Sequence, residues 1–293
     1  MAKKIGVIGV GIMGQGIASN LLKHGHSLVL LEHGGNQPLD ALIASGATTA
    51  TRASALAAQV EIVLLCVTGS PQVEAVMLGE GGVLEGLRPG TIVIDCSTAV
   101  PTSTEKVAKT VVEHGGFFLD APMTRTSKEA AEGRLNLLVG GDAAVFERCK
   151  PVLTCFAENI THAGPIGSGH RMKLLHNFVA LGMVSVLAEA AACAKNVGIE
   201  PQTFVDILAK GGGAGVPLER LKPYLLGNDP TGLKFSIVNA QKDLSYYNTM
   251  AEDGACDRTV AQAVKRTLDA AVRDGHGEAL VPELISIISE RSS

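Results

Sequence analysis

Ile5-Gly6-Val7-Ile8-Gly9-Val10-Gly11-Ile12-Met13-Gly14-Gln15-Gly16-Ile17-Ala18-Ser19-Asn20-Leu21-Leu22-Lys23 contains three signals in a fixed order. Ile5–Ile8 is a short apolar run of strand character. Gly9-Val10-Gly11-Ile12-Met13-Gly14 is a GxGxxG loop. Gln15 to Lys23 carries a helical pattern. A second β-rich run, Leu28–Leu31, then ends in Glu32, eighteen residues after Gly14. Glycine triplets arise by chance, but a triplet between a strand and a helix, with an acid at the end of the next strand, is the fingerprint of a dinucleotide-binding βαβ unit. Gly9 permits the tight turn, Gly11 lets the backbone approach a pyrophosphate, and Gly14 lets the helix lie close to the strand. Ile12 and Met13 complete the loop. The helix N-terminus offers N–H groups and partial positive charge to the phosphates. Glu32 is placed to accept hydrogen bonds from ribose hydroxyls and to repel a 2′-phosphate. The following His33-Gly34-Gly35-Asn36 holds no arginine or lysine, which favours NAD over NADP.

Further apolar runs follow at Ile62–Leu65, Thr91–Ile94, Phe117–Leu119 and Leu135–Val139, each bounded by Gly, Pro, Asp or Ser. Short apolar strands separated by helices predict a parallel sheet covered on both faces. The pattern changes at Gly164-Pro165-Ile166-Gly167-Ser168-Gly169, a cluster of helix and strand breakers. A helix-forming stretch runs from about His170 to Asn196, with Gly198 just past its end. Beyond it the chain reads as helices joined by turns such as Gly211-Gly212-Gly213 and Pro230-Thr231-Gly232. The expected organisation is a Rossmann domain over 1–163 and an all-α domain over 164–293, the second opening on a long helix.

The chain has 293 residues, 46% of them hydrophobic, enough to bury two cores. Its formal charge is −4, and basic and acidic residues are mixed. With no cationic block and no aromatic series for base stacking, nucleic acid is not the expected partner. Six cysteines include no CxxC pair. Several lie in apolar runs, as Cys66 does, and read as reduced thiols of a cytoplasmic protein. Their spacings do not suggest zinc, and no metal is expected. Lys3-Lys4 precedes too short an apolar run for a signal peptide. The small apolar run Ala188–Ala194 is interrupted or bounded by Glu189 and Lys195, so it reads as a buried helix rather than a membrane span.

Lys173 and Asn177 are four apart in the long helical stretch and share a face, with His176 near it. A lysine on a helix is ordinarily solvated. If it faces a cleft, desolvation lowers its pKa toward the range useful for proton transfer. Asn177 has the chemistry to hold a hydroxyl or carbonyl oxygen.

Four ordered motifs extend the reading to nearly the whole chain. Gly9 to Leu22 is close to GLGxMGxxxAxNL. Asp120-Ala121-Pro122-Met123-Thr124-Arg125-Thr126 is similar to DAPVSGG. Gly167–Asn177 fits GxGxxxKxxxN, and Lys242-Asp243-Leu244 fits KDL. In these the sequence resembles the β-hydroxyacid dehydrogenase family. The resemblance implies Lys173 as the catalytic lysine and Asn177 as a substrate-orienting amide. It also implies Thr98 beside the nicotinamide, Val67 against the cofactor after the third strand, and Lys242 near the nicotinamide end. Members of the family are usually dimers or tetramers.

The second motif departs from the family. Thr124-Arg125-Thr126 stands where Ser-Gly-Gly is usual, so two glycines whose N–H groups receive a carboxylate carry side chains here. Thr124 keeps a hydroxyl, and Arg125 adds a guanidinium suited to an oxyanion. A similar Arg-Thr-Ser sequence occurs in sulfolactaldehyde reductases, where the arginine helps to bind a sulfonate. Those enzymes have asparagine and serine where this chain has His176 and Ala180. Arg125 otherwise reads as a surface partner of Glu129. The expected function is NAD-dependent interconversion of a small anionic β-hydroxyacid, or related hydroxysulfonate, and its aldehyde or ketone. Lys173 would move the proton, and Thr124, Arg125, Thr126, His176 and Asn177 would bind substrate. The alternatives are an imine reductase, a class that commonly lacks the lysine, and a non-catalytic NAD-binding protein.

Overall fold

In the computed structural model, which describes residues 2–291, the opening run becomes β1 (Lys4–Ile8). The other predicted runs become β2 (Ser27–Leu31), β4 (Ile62–Leu65), β5 (Ile92–Asp95), β6 (Phe117–Asp120) and β8 (Leu135–Gly141). Three strands were not apparent in the sequence: β3 (Thr48–Ala50), β7 (Met123–Thr124) and β9 (Ala157–Gly164). The sheet order is β3-β2-β1-β4-β5-β6-β8-β7, with β9 paired to β8.

The expected parallel pairing holds across β3-β2-β1-β4-β5-β6. It does not hold beyond. β8 runs antiparallel to β6 and β7 and parallel to β9. Residues alternate between two buried faces along the parallel strands. Ile5, Val7, Leu28, Leu30, Ile62 and Leu64 pack on one side with Ile17 and Leu21 of helix Ile12–Lys23. Ile8, Val29, Val63, Leu65 and Val93 pack on the other with Leu56, Met77 and Val107. Full burial of such side chains contributes about 1.5–3 kcal/mol each. This holds the carboxyl ends of the strands in a fixed row.

Two compact units divide the chain. The first reaches Lys173, past the breaker cluster, and the second begins at Leu174. β9 and the first turns of helix Ser168–Asn196 therefore belong to the sheet unit. In the second unit, helices Pro201–Ala209, Val216–Gly227, Ile237–Asp253, Thr259–Ala271 and Leu284–Arg291 share a core with the long helix. Leu181, Ala188, Leu244, Leu268 and Leu284 lie in that core.

The long helix is less buried than its composition predicts. Ala188, Ala191, Ala192 and Ala194 are buried, but Leu175, Val179, Met183 and Val186 stay 41–68% exposed. Residues three and four apart share a helix face, so these four form one apolar stripe. By length and composition this helix could cross a bilayer, and half of its most apolar window is buried inside the protein.

Candidate active site

The glycine loop forms a cradle of the required shape. Gly9 follows β1 at φ +92°, and a Cβ there would stand 2.3 Å from the Cys66 carbonyl oxygen. A Cβ on Gly14 would stand 2.0 Å from the Gly9 oxygen, whereas one on Gly11 would meet nothing within 4 Å. So Gly9 and Gly14 are fixed by sterics, and Gly11 borders open space. Gly11 is also the N-cap of helix Ile12–Lys23, with no side-chain cap. Uncapped N–H groups facing open space fit a bound pyrophosphate. Ile12 is 66% exposed, while Met13 packs partly against the core.

Glu32 is exposed just beyond β2 and lines an open cleft of about 470 Å³ with His33, Gly34, Asn36, Gln37 and Leu39. Asn36, to which the sequence assigns no role, ties this edge to the glycine loop. Its Oδ1 accepts from the Val10 N–H at 3.2 Å, and its amide donates to the Leu31 carbonyl at 2.9 Å. Val67 and Thr98 follow β4 and β5, and both are half-buried. The Val67 N–H donates to the Ser97 hydroxyl at 3.0 Å, joining the two loops. The chain leaves β1 toward β2 on one side and reaches β4 on the other. That is the switch point where doubly wound sheets bind ligands.

The segment after β6 lies beside the start of the long helix. Asp120 is wholly buried at the end of β6. Its carboxylate accepts from the backbone N–H groups of Gly167 at 2.7 Å and His170 at 2.9 Å. This caps the helix and docks its first turn on the Asp120–Thr126 segment. Lys173 Nζ then donates to the Met123 carbonyl at 2.7 Å. Thr124, in β7, is buried, and its hydroxyl accepts from the Asn136 amide at 3.1 Å. Asn136 in turn accepts from Asn159 at 2.9 Å. Lys173 and Thr124 are thus held on one short segment.

Arg125 and Thr126 are arranged otherwise than expected. Arg125 has φ +80°, the left-handed conformation that glycine adopts without cost. Its guanidinium pairs with Glu158 and donates to the Arg134 carbonyl. The surface partner is therefore Glu158, which Arg134 shares, not Glu129, so the guanidinium expected to clamp a substrate anion is already engaged within the protein. Glu129 serves a capping box, accepting from the Thr126 N–H at 2.9 Å and hydroxyl at 2.6 Å. Both Thr126 donors are engaged in that cap.

His170, three residues before Lys173, is wholly buried among polar groups. Its Nδ1 lies 2.8 Å from the Thr104 hydroxyl and its Nε2 3.0 Å from the Ser97 carbonyl. Asp95 and Asp120 each stand 4.0 Å from its ring. Burial pushes the Asp95 carboxyl above its ordinary range, although the nearby imidazole pulls the other way. Asp120 and His170 fall inside two of the sequence motifs and Asp95 ends a strand, but nothing in the sequence shows that the three meet. Their spacing carries no local signal, because β5, β6 and the helix are brought together by the sheet.

In the second unit, Asn177 is buried, and its amide donates to the Asp243 carboxylate at 2.6 Å. His176 Nδ1 lies 3.0 Å from the Asn177 oxygen. Lys242 Nζ is 3.2 Å from Asp243 Oδ1 and 5.5 Å from the Tyr246 ring centre.

Residues 4–164 match the family described as the NAD binding domain of 6-phosphogluconate dehydrogenase. Residues 167–288 match the NAD-binding domain of NADP-dependent 3-hydroxyisobutyrate dehydrogenase. The chain is 33% identical to 2-(hydroxymethyl)glutarate dehydrogenase of Eubacterium barkeri, over 86% of this chain and 83% of that one. It is 34% identical to the NAD-dependent L-serine dehydrogenase of Pseudomonas aeruginosa, over 80% and 79% of the two chains. Among solved structures, Mycobacterium tuberculosis 3-hydroxyisobutyrate dehydrogenase with L-serine superposes with a TM-score of 0.88. The two are 25% identical, and the match covers 98% of this chain and 99% of that one.

Proposed function

The chain belongs to the 3-hydroxyisobutyrate dehydrogenase family of NAD-binding oxidoreductases, and on that premise we propose that it oxidises a primary alcohol β to a carboxylate, or reduces the matching semialdehyde, with Lys173 moving the proton. The observation that carries this reading is the 2.7 Å bond from Lys173 Nζ to the Met123 carbonyl, next to the buried Thr124 hydroxyl.

The chemistry that a bound nicotinamide supplies is hydride exchange at C4. The protein's own residues do the rest. One N–H of Lys173 is spent on Met123, which fixes the nitrogen in place. In oxidation Lys173 accepts the substrate hydroxyl proton, and in reduction it returns a proton to the carbonyl oxygen. Thr124 accepts a hydrogen bond from Asn136, so its own proton is set to donate to the substrate's acid group. In this reading Asn177 orients the reacting oxygen, and Lys242 is assigned to the nicotinamide end. Glu32, in a cleft lined by no arginine or lysine, supports NAD over NADP.

The names of the relatives narrow the substrate. 2-(Hydroxymethyl)glutarate, L-serine and 3-hydroxyisobutyrate share the unit HOCH2–CH(R)–COO⁻ and differ in R. We take that unit as the substrate class. The exposed apolar stripe of the long helix supports a homo-oligomer, with a second copy covering Leu175, Val179, Met183 and Val186.

Purified protein should turn over such acids with NAD, tested on a panel that varies R and includes a sulfonate in place of the carboxylate. Lys173→Ala should lower kcat by roughly 10²–10⁴ and leave NAD affinity unchanged. Near-full turnover by the folded variant would remove Lys173 from the mechanism.

A further inference from the structure

Asp243, Asn177 and His176 form a chain of hydrogen bonds whose direction is fixed at one end. Asp243 lies on helix Ile237–Asp253 and is 3% exposed. A carboxylate only accepts, so the group that Asn177 presents to Asp243 Oδ2 at 2.6 Å must be its NH2. The opposite orientation would set a carbonyl oxygen against a buried carboxylate. The Asn177 amide therefore has one allowed orientation, and its oxygen faces the imidazole. That oxygen also only accepts, so His176 Nδ1, 3.0 Å away, must carry a hydrogen. In the neutral imidazole the lone pair then resides on Nε2. His176 is exposed, and Nε2 has no hydrogen-bond partner among the described residues.

We propose that Asp243 is a positioning residue that sets, through Asn177, the proton position on His176, and that His176 Nε2 thereby selects substrates whose R group offers an N–H or O–H donor. The assignment rests on the hydroxyacid dehydrogenase reading. His176 follows Lys173 by three residues on one helix, and the proposal places the R group of a substrate held at Lys173 against it. A bare nitrogen lone pair favours a hydroxyl or ammonium there. A wholly alkyl R group displaces water from it and offers no hydrogen bond in return. Asp243 shows no such role in the sequence, where it stands only beside the lysine of the KDL motif.

The test pairs a spectrum with kinetics. Nitrogen-15 spectra of the histidine side chains, taken on the neutral side of the imidazole titration, identify the protonated nitrogen; His176 is assigned by its loss in His176→Gln. The wild-type protein should show Nδ1–H. The Nδ1–H share should fall in Asp243→Leu and be largely kept in Asp243→Asn, which still offers an acceptor oxygen. In kinetics, Asp243→Leu and His176→Leu should each lower, by about tenfold, the kcat/KM preference for a donor-bearing R group over an alkyl one. NAD affinity should not move in His176→Leu. An Nε2–H signal in the wild-type protein overturns the proposal, as does an equal loss on both kinds of acid. Absence of turnover by the wild-type protein on any hydroxyacid would instead defeat the functional reading. The spectrum would still decide the tautomer.

Discussion

At Arg125 a backbone requirement and a charge compete. The residue stands at φ +80°, where a side chain costs about 1–2 kcal/mol relative to glycine. Its guanidinium is held by Glu158 and the Arg134 carbonyl. Arg125→Gly and Arg125→Ala both lose that tether, but only glycine relieves the backbone. Arg125→Gly should therefore be more stable than Arg125→Ala by about 1 kcal/mol, measured by denaturant unfolding. Both variants should keep most of their kcat/KM on anionic acids. A loss of more than about tenfold, confined to anionic substrates and shared by both variants, would restore the clamp reading. A second prediction belongs to Glu32. Glu32→Ala removes a ribose acceptor and the repulsion of a 2′-phosphate, so the NAD-over-NADP ratio of kcat/KM should fall. An unchanged ratio would place the discrimination elsewhere. Both residues were visible in the sequence, but to different depths. Glu32 follows from its distance to Gly14. The partner of Arg125 does not, because Glu158 comes from β9, a strand absent from the hydrophobic pattern.

Helix Ser127–Glu132 has six residues and depends on its first turn. Its capping box is closed by Glu129, whose carboxyl is held below the usual range by the Thr126 hydroxyl and backbone N–H. A depressed folded-state pKa adds stability at and above the ordinary glutamate range, and this is lost as pH falls through the depressed value. Acid titration of unfolding should therefore show a steeper fall for the wild-type protein than for Glu129→Gln. Parallel slopes would mean that the cap adds nothing. The same contrast explains which elements were legible. β1, β2, β4, β5 and β6 are apolar because both their faces are covered. β3 is three residues long on the sheet edge, β7 has two, and β9 is Ala157-Glu158-Asn159-Ile160-Thr161-His162-Ala163-Gly164, with most side chains toward solvent. Strands with so little apolar surface are specified by their neighbours. The antiparallel turn to β8 follows from those neighbours too.

Over the whole molecule, the apolar stripe on the long helix carries a test. Exposed Leu175, Val179, Met183 and Val186 are covered if copies associate through this face. Val186→Glu should then lower the assembly state seen by light scattering, and an unchanged mass would place the interface elsewhere. Thiols give an independent reading of the fold. Cys96, Cys149 and Cys155 are buried, and burial pushes the Cys149 thiol up to about 11. Cys193 and Cys256 are exposed, so they should label first under native conditions, with the buried three reacting only on unfolding. The boundary between the units falls between Lys173 and Leu174, inside helix Ser168–Asn196. A protease must draw an extended stretch of backbone into its cleft, and a helix withholds that stretch until it unravels locally. Trypsin meets Lys173 and Arg171 at this junction, yet brief digestion should leave it uncut and release no separate halves.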